Sequence, residues 1–206
     1  LASSISAIYP AVGLVLAYIF LKERMKPHRI LGLMIAIIAI VLMGVSPDIS
    51  VPNLGLGILF VSLSIIGWGS EAVIINVALK DNVSSEVALT IRQMTSSLTY
   101  GFIVLPIIGY NAIMPTIQIP VIFLIVVVSG LLGTLSYLSY YKSIDLIGAT
   151  QAMGLNISYP AWAFIFQFLI DRKFSPYLFM LSIVIIIGSI LSNDNPKELF
   201  YTKNKI

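Results

Sequence analysis

The sequence predicts an all-α integral membrane protein, a helical bundle of about seven transmembrane helices. Of its 206 residues, 58% are hydrophobic and only 10% are charged, and the mean hydropathy is +1.00. Soluble globular proteins do not have this composition. Apolar runs of about 17 to 25 residues recur between short polar breaks, and a helix of that length crosses roughly 30 Å of hydrocarbon. Continuous apolar runs favour helices over the alternating strands of a membrane barrel.

Short breaks rich in proline, asparagine and aspartate separate the apolar runs. The predicted spans are Ser4 to Leu21, Ile30 to Ser46, Leu54 to Leu79, Val87 to Tyr110, Ile119 to Tyr141, Ile147 to Ile170 and Tyr177 to Ser192. The chain has no cysteine, which excludes disulfides and thiolate metal sites. The lone histidine, His28, lies in a basic loop and is interpreted as a solvated residue beside the membrane. We therefore predict no metal and no cofactor.

Lysine and arginine are distributed unequally between the two sides of the predicted spans. If the C-terminus is cytoplasmic, only Arg172 and Lys173 lie outside. The inside set is Lys22, Arg24, Lys26, Arg29, Lys80, Lys142, Lys197, Lys203 and Lys205. Because cytoplasmic loops retain basic residues, the count predicts a multi-pass plasma-membrane protein with residues 194–206 as a cytoplasmic basic tail. Basic residues at span ends explain the net charge of +3 without a nucleic-acid partner.

Two segments of the chain repeat each other. Tyr9-Pro10-Ala11 in the first span matches Tyr159-Pro160-Ala161 in the sixth, and each is followed by a polar loop that ends in a proline, Pro27 or Pro176. Five crossings separate the two copies, so the copies face opposite ways in the membrane. Such inverted repeats are a common plan of secondary transporters.

A repeat of five spans would make residues 54–193 a complete second copy. Residues 1–47 would then hold only the last two helices of the first copy. We therefore expect an N-terminally truncated part of a ten-helix inverted-repeat fold, with three preceding helices of the same protein as a missing partner.

The repeated segments resemble a known family. The stretch from Tyr9-Pro10 through Leu21-Lys22-Glu23-Arg24 to Gly44 resembles the end of an EamA domain of the drug/metabolite transporter superfamily, and residues 54–195, with Trp68 in the first helix, resemble a second, whole EamA domain. The resemblance implies two inverted five-helix halves around a central cavity, and export or exchange of small organic metabolites such as amino acids. The second half departs from the pattern, because Asp171-Arg172-Lys173 replaces the Glu-Arg turn.

Two charges lie well inside predicted spans, Glu71 and Arg92. They flank one short loop at similar distances, so they are predicted to lie at one depth in an antiparallel hairpin. An intramembrane charge is costly and is a functional hypothesis by default. Two interpretations remain open: a structural ion pair that locks the hairpin, and a polar element of the substrate or proton pathway, where the pair could bind the two ends of a zwitterion.

Four further side chains complete the predicted substrate-binding set. Trp68 lies near the middle of its span, between Gly67 and Gly69. These glycines allow either close helix packing, the favoured interpretation, or a local break of the helix. Tyr137 lies in a stripe of small and polar residues on the fifth span, which is interpreted as a helix contact whose tyrosines could border the cavity. The stripe consists of Ser129, Gly130, Gly133, Thr134, Ser136, Tyr137 and Tyr140. Asn156 and Tyr159 lie where Pro160 interrupts the sixth span, since proline frees a carbonyl group.

These observations favour a membrane transporter that binds a small-molecule substrate within the lipid bilayer. A seven-helix receptor or sensor is the alternative, against which the inverted repeat argues. An enzyme is not predicted, because no catalytic set of residues lies within the spans. A second copy of the chain, in a homodimer, is left open as a partner.

Overall fold

The computed structural model describes residues 6, 8–44 and 54–193. Every regular element in these residues is helical, and the predicted all-α membrane class is confirmed. The predicted start of the first span, the loop at 45–53 and the basic tail at 194–206 lie outside the described residues.

The helices are numbered here in chain order. The α-helices are α1 (Tyr9–Leu16), α2 (Pro27–Gly44), α3 (Leu54–Lys80), α4 (Ser85–Thr99), α5 (Leu105–Ile108), α6 (Met114–Gln118), α7 (Pro120–Ile147), α8 (Ala149–Asn156), α9 (Tyr159–Asp171) and α10 (Pro176–Leu191). Two π-helical turns, Ala17–Leu21 and Tyr100–Val104, continue α1 and α4, and a 3-10 turn covers Tyr110–Ala112.

Four described stretches are long and apolar enough to cross a membrane: Pro27–Gly44, Gly55–Lys80, Pro120–Ile147 and Ala149–Asp171. Tyr9–Leu21 and Pro176–Leu191 are shorter apolar helices. The remaining predicted span, Val87 to Tyr110, corresponds to α4, a π turn and α5. The π turn ends at Val104, two residues before Pro106, whose missing N–H and bulky ring disturb the regular hydrogen-bond ladder.

The chain divides into two compact units, residues 1–76 with 147–206 and residues 77–146. The hydrophobic core of unit 1 is formed by α2, α9, α10 and the junction between α8 and α9. Its buried members are Leu33, Ala36, Ile37, Ala39, Ile40, Ile157, Ala161 and Ile185.

Helices α2 and α10 pack against each other in opposite directions. Near the start of α2, Arg29 Nε donates to the carbonyl oxygen of Ser192, just past the end of α10, at 3.0 Å. Near the start of α10, the Tyr177 hydroxyl donates to the carbonyl oxygen of Leu42, near the end of α2, at 3.2 Å. These helices follow the two repeated Tyr-Pro segments, so their antiparallel packing is the arrangement that an inverted repeat requires.

The repeated segments have the same local structure. Ile8 (φ −76°, ψ −12°) and Ser158 (φ −72°, ψ −11°) precede helices that begin with Tyr-Pro. Ala11 N–H donates to the Ile8 carbonyl at 2.9 Å, and Ala161 N–H to the Ser158 carbonyl at 3.0 Å. Proline at the second helical position suits this turn, because an N–H in the first turn of a helix has no intrahelical partner and proline, which lacks an N–H, loses no hydrogen bond there.

The repeated helices also end with the same backbone conformation. Lys22 (φ 55°, ψ 25°) and Arg172 (φ 55°, ψ 18°) both adopt the left-handed conformation that terminates a helix. The next helices begin at Pro27 and at Pro176. The second loop is one residue shorter, which explains why the spacing between the copies falls from 150 residues at the first proline to 149 at the second.

Candidate substrate site

A cluster of aromatic and amide side chains in unit 1 joins three helices. Tyr9, at the start of α1, is 6% exposed. Its hydroxyl oxygen accepts a hydrogen bond from Asn156 Nδ2 at 2.8 Å. Its ring meets the ring of Trp68, on α3, edge to face, with 6.0 Å between centroids and 83° between planes, a favourable aromatic geometry. Two predicted site residues, Trp68 and Asn156, are thereby linked through a residue that was not predicted.

A glycine on α3 allows the backbones of α1 and α3 to approach each other closely. A Cβ atom at Gly69 would lie 2.9 Å from both the backbone nitrogen of Gly13 and the carbonyl oxygen of Tyr9, whereas a Cβ at Gly67 would meet nothing within 4 Å. The predicted packing role therefore applies to Gly69 and not to Gly67. The close approach brings the Trp68 ring beside Tyr9.

Two further predicted residues lie in unit 1. The helix interruption predicted from Pro160 is present, because α8 ends at Asn156 and α9 begins at Tyr159. Tyr159 is 44% exposed, in contrast to its repeat counterpart Tyr9. Glu71 is partly buried on α3, three residues after Trp68 and hence on the same face of the helix.

The remaining predicted residues lie in unit 2, where α4 and α7 run antiparallel. The guanidinium carbon of Arg92 lies 4.1 Å from the centroid of the Tyr137 ring, within the range of a cation–π interaction. Arg92 Nη1 also donates to Gln93 Oε1 at 3.3 Å. Arg92 and Tyr137 are thus brought together. Glu71 belongs to unit 1 and Arg92 to unit 2, and their pairing stays a prediction.

The small-residue stripe that precedes Tyr137 does not pack as expected. We interpreted its glycines and serines as a helix contact, but a Cβ at Gly130 or Gly133 would meet no described atom within 4 Å. Two of its hydroxyl-bearing neighbours bond within the helix instead: Thr134 Oγ1 donates to the Gly130 carbonyl at 2.9 Å, and Ser139 Oγ to the Leu135 carbonyl at 2.9 Å. Such bonds satisfy a hydroxyl group within an apolar helix.

An ion pair joins the polar ends of α4 and α7. Lys142 Nζ lies 2.9 Å from Glu86 Oε1, and the Lys142 hydrogen bond, the Glu86 backbone N–H and the lysine charge hold the pKa of Glu86 below its ordinary value. A carboxyl group with a lowered pKa stabilises the folded state above its unfolded pKa, and this contribution is lost as the pH falls through the folded pKa.

We therefore expect Glu86→Gln to lower the melting temperature slightly at neutral pH and not at all once the wild-type carboxyl is protonated. Both side chains are more than half exposed, so the effect is small and shrinks further in high salt. Melting curves of both proteins over a pH series, at low and high salt, measure it. A difference that persists at acid pH would show that Glu86 stabilises the fold without its charge.

A buried polar network at one end of unit 1 was not predicted. Arg29, counted as a loop residue by its sequence, is 3% exposed on α2. Besides its bond to the Ser192 carbonyl, its Nη2 donates to Thr150 Oγ1 on α8 at 3.3 Å. Nearby on α10, Ser189 Oγ donates to the Gly154 carbonyl at 2.7 Å. These bonds connect α2, α8 and α10.

The loop after α1 contributes to the same end of unit 1. Glu23 Oε1 accepts a hydrogen bond from Asn76 Nδ2, on α3, at 3.5 Å. The same oxygen would lie 3.6 Å from a Cβ at Gly148, which precedes α8. His28, on the first turn of α2, is exposed as expected. Among the described residues, no group of three or more histidine, aspartate or glutamate residues could hold a metal ion.

These features define a multi-pass helical membrane protein in which each of two repeated Tyr-Pro turns is followed by one member of an antiparallel helix pair. The sequence model of the EamA-like transporter family matches residues 55–193, two thirds of the chain. The chain therefore belongs to the EamA-like transporter family, as its resemblance to EamA domains predicted. It is also similar to Protein LicB of Haemophilus influenzae, with 26% identity over 194 residues, 93% of this chain. The chain spans 65% of the length of that relative.

Proposed function

We propose that the protein is a secondary carrier that exports or exchanges small organic metabolites, such as amino acids, across the plasma membrane. The observation that carries the proposal is the repeated Tyr-Pro turn and left-handed helix end in two copies, each followed by one member of the antiparallel pair α2 and α10. Two inverted copies give a carrier two related states, one open to each side of the membrane. Membership in the EamA-like transporter family supports the same conclusion.

Two sets of side chains are the proposed substrate contacts. In unit 1, Trp68, Asn156 and Tyr159 offer aromatic faces and hydrogen-bonding groups, and Glu71 offers a carboxyl. In unit 2, Arg92 is oriented by the Tyr137 ring. A guanidinium stacked on an aromatic face has its N–H groups at its edge, and this planar fork matches the geometry of a carboxylate. Every amino acid carries the carboxylate that Arg92 would recognise.

The proposed orientation places the C-terminus in the cytoplasm. Arg29, at the start of α2, is bonded to Ser192, at the end of α10, so the chain leaves α10 at the end of unit 1 that carries the basic loop after α1. Exposed Lys22, Arg24 and Lys26 lie in that loop. Because basic loops are retained in the cytoplasm, both features would share the inner side.

The test is counterflow uptake by the intact protein in proteoliposomes preloaded with unlabelled amino acids or other small metabolites. We expect saturable uptake that falls about tenfold or more in Arg92→Gln, because a hydrogen-bonded charge is lost from the site. Arg24→Gln, which removes an exposed loop charge, serves as the matched control and is expected to transport normally.

Different results would contradict the proposed site and the proposed function. Unchanged uptake with lowered thermal stability in Arg92→Gln and Glu71→Gln would leave the two charges a structural role only. No uptake of any metabolite by the folded wild-type protein would favour the receptor or sensor alternative over a carrier.

A further inference from the structure

Three helices of unit 1 are in contact from the aromatic cluster to the end that carries the basic loop. At the cluster, the Tyr9 ring on α1 meets the Trp68 ring on α3, and the Tyr9 hydroxyl is bonded to Asn156 on α8. One turn further along α1, a Cβ on Gly13 would collide with the side chain of Met153 on α8. Helix α1 is therefore packed against both α3 and α8.

The same three helices meet again at the loop end, through the side chain of Glu23. Its Oε1 accepts the hydrogen bond from Asn76 on α3 at 3.5 Å and lies 3.6 Å from the place of a Cβ on Gly148, just before α8. The backbone of Glu23 is attached to α1, because its N–H donates to the Ala17 carbonyl at 3.3 Å. One carboxylate thus bridges the ends of α1, α3 and α8.

The two levels of contact are equally far apart on α3 and α8. Asn76 lies eight residues after Trp68 on α3, which is about 12 Å at 1.5 Å per residue. Gly148 lies eight residues before Asn156. The residues between the levels that are at most 1% exposed include Ala17, Ala72 and Met153. The three helices are therefore closed against each other between the aromatic cluster and the loop.

Glu23 can be released more easily than the buried network beside it. Glu23 is partly exposed, so water can solvate its carboxylate when the bond to Asn76 breaks. Arg29 is 3% exposed, and a buried charge that loses its hydrogen bonds is costly. Opening at this end would therefore separate Glu23 from Asn76 and leave the bonds between α2, α8 and α10 in place.

The repeat does not supply this carboxylate a second time. Lys22 and Arg172 occupy equivalent left-handed positions at the ends of the repeated helices, so Glu23 corresponds to Lys173 at the same spacing of 150 residues. An acidic side chain at this place is specific to the loop after α1. The symmetry of the repeat therefore does not account for the contact that Glu23 makes.

We propose that Glu23 is the latch of an inner gate, which holds the end of α1 against α3 and α8 and closes the candidate substrate site toward the basic loop. The inference rests on the proposed function, in which that side is cytoplasmic. Release of Glu23 from Asn76 lets the end of α1 move away and opens a path to Trp68 and Asn156. Glu23 controls access to the site and is not one of the proposed substrate contacts.

The reactivity of a single cysteine in place of Met153 tests the latch. This chain has no cysteine, so one thiol can be introduced into the intact protein on a cysteine-free background. A membrane-impermeant maleimide applied to inside-out vesicles should label Met153→Cys about threefold faster when Glu23→Ala or Asn76→Ala is added, because each removes the hydrogen bond. Arg24→Ala, which changes the exposed neighbour of Glu23, should leave the rate unchanged.

Two other single cysteines distinguish an open gate from a damaged fold. His28→Cys, exposed on α2, should react at one rate in every background, and Ile185→Cys, at a fully buried position on α10, should stay protected. Equal labelling of Met153→Cys with and without the latch substitutions would overturn the latch, and so would an equal increase at Ile185→Cys. Labelling needs no substrate. A gate that responds in a protein without counterflow uptake would refute the proposed function alone, and normal uptake with no response at Met153→Cys would refute the latch alone.

Discussion

Replacing Arg29 with leucine is expected to lower the free energy of unfolding by about 2–3 kcal/mol, because hydrogen bonds from a charged donor to two buried acceptors are lost. The acceptors, the Ser192 carbonyl and Thr150 Oγ1, belong to two different helices. Leucine fills part of the space but cannot donate, so both oxygen atoms lose a charged partner. Thermal denaturation of the purified protein in detergent measures the loss.

Arg24→Leu is the matched control for this substitution. It removes the same charge from an exposed position in the neighbouring loop, and surface substitutions of this kind change stability by less than about 0.5 kcal/mol. Arg29→Lys is expected to fall between the two variants, since an ammonium keeps the charge but cannot reproduce the fork of the guanidinium. Equal losses in Arg29→Leu and Arg24→Leu would show that charge alone, and not the buried network, stabilises this end of unit 1.

Arg29 also shows where prediction from the sequence was wrong. The apolar run begins at Ile30, so Arg29 was counted with the basic loop. In the structure α2 begins earlier, at Pro27, and Arg29 lies on its first turn, on the face that packs against α8 and α10. Hydropathy along the chain reports which residues prefer lipid, but it does not report which face of a helix is covered by another helix.

The repeat was predictable because short stretches of sequence determine its local backbone structure. A proline at the second helical position, a polar loop and a second proline fix backbone conformations through short-range forces, so the same residues give the same turn twice. The helix break before Tyr159 was predictable for the same reason. The bond between Asn156 and Tyr9 joins residues 147 positions apart, and such a contact depends on how helices pack, which no local pattern specifies.

The small-residue stripe on α7 shows that a local pattern can be present without the helix contact that it favours. Glycine and serine at helical spacing favour helix packing, and on α3 the same reasoning applied to Gly69 but not to Gly67. Which glycine is covered depends on the rotation of the helix relative to its neighbours. The sequence therefore predicts which helices are capable of close approach, and the structure identifies the positions where they touch.

Replacing Gly188 with alanine is expected to destabilise the protein by about 1–3 kcal/mol through overpacking. A Cβ atom at Gly188 would lie 2.6 Å from the Gly32 carbonyl oxygen and 2.8 Å from the Ala36 backbone nitrogen. Both atoms belong to the backbone of α2, so neither can turn aside as a flexible side chain would, and the two helices have to separate. Thermal denaturation in detergent measures the effect.

Gly130→Ala on α7 is the control, since a Cβ there meets nothing within 4 Å and alanine favours a helix over glycine. A Gly188→Ala protein as stable as Gly130→Ala would mean that α2 and α10 are not held at this distance. The contact holds together the two helices that follow the corresponding Tyr-Pro turns of the two copies. Because a Cβ at this position forces these helices apart, the substitution should mainly reduce the amount of folded protein.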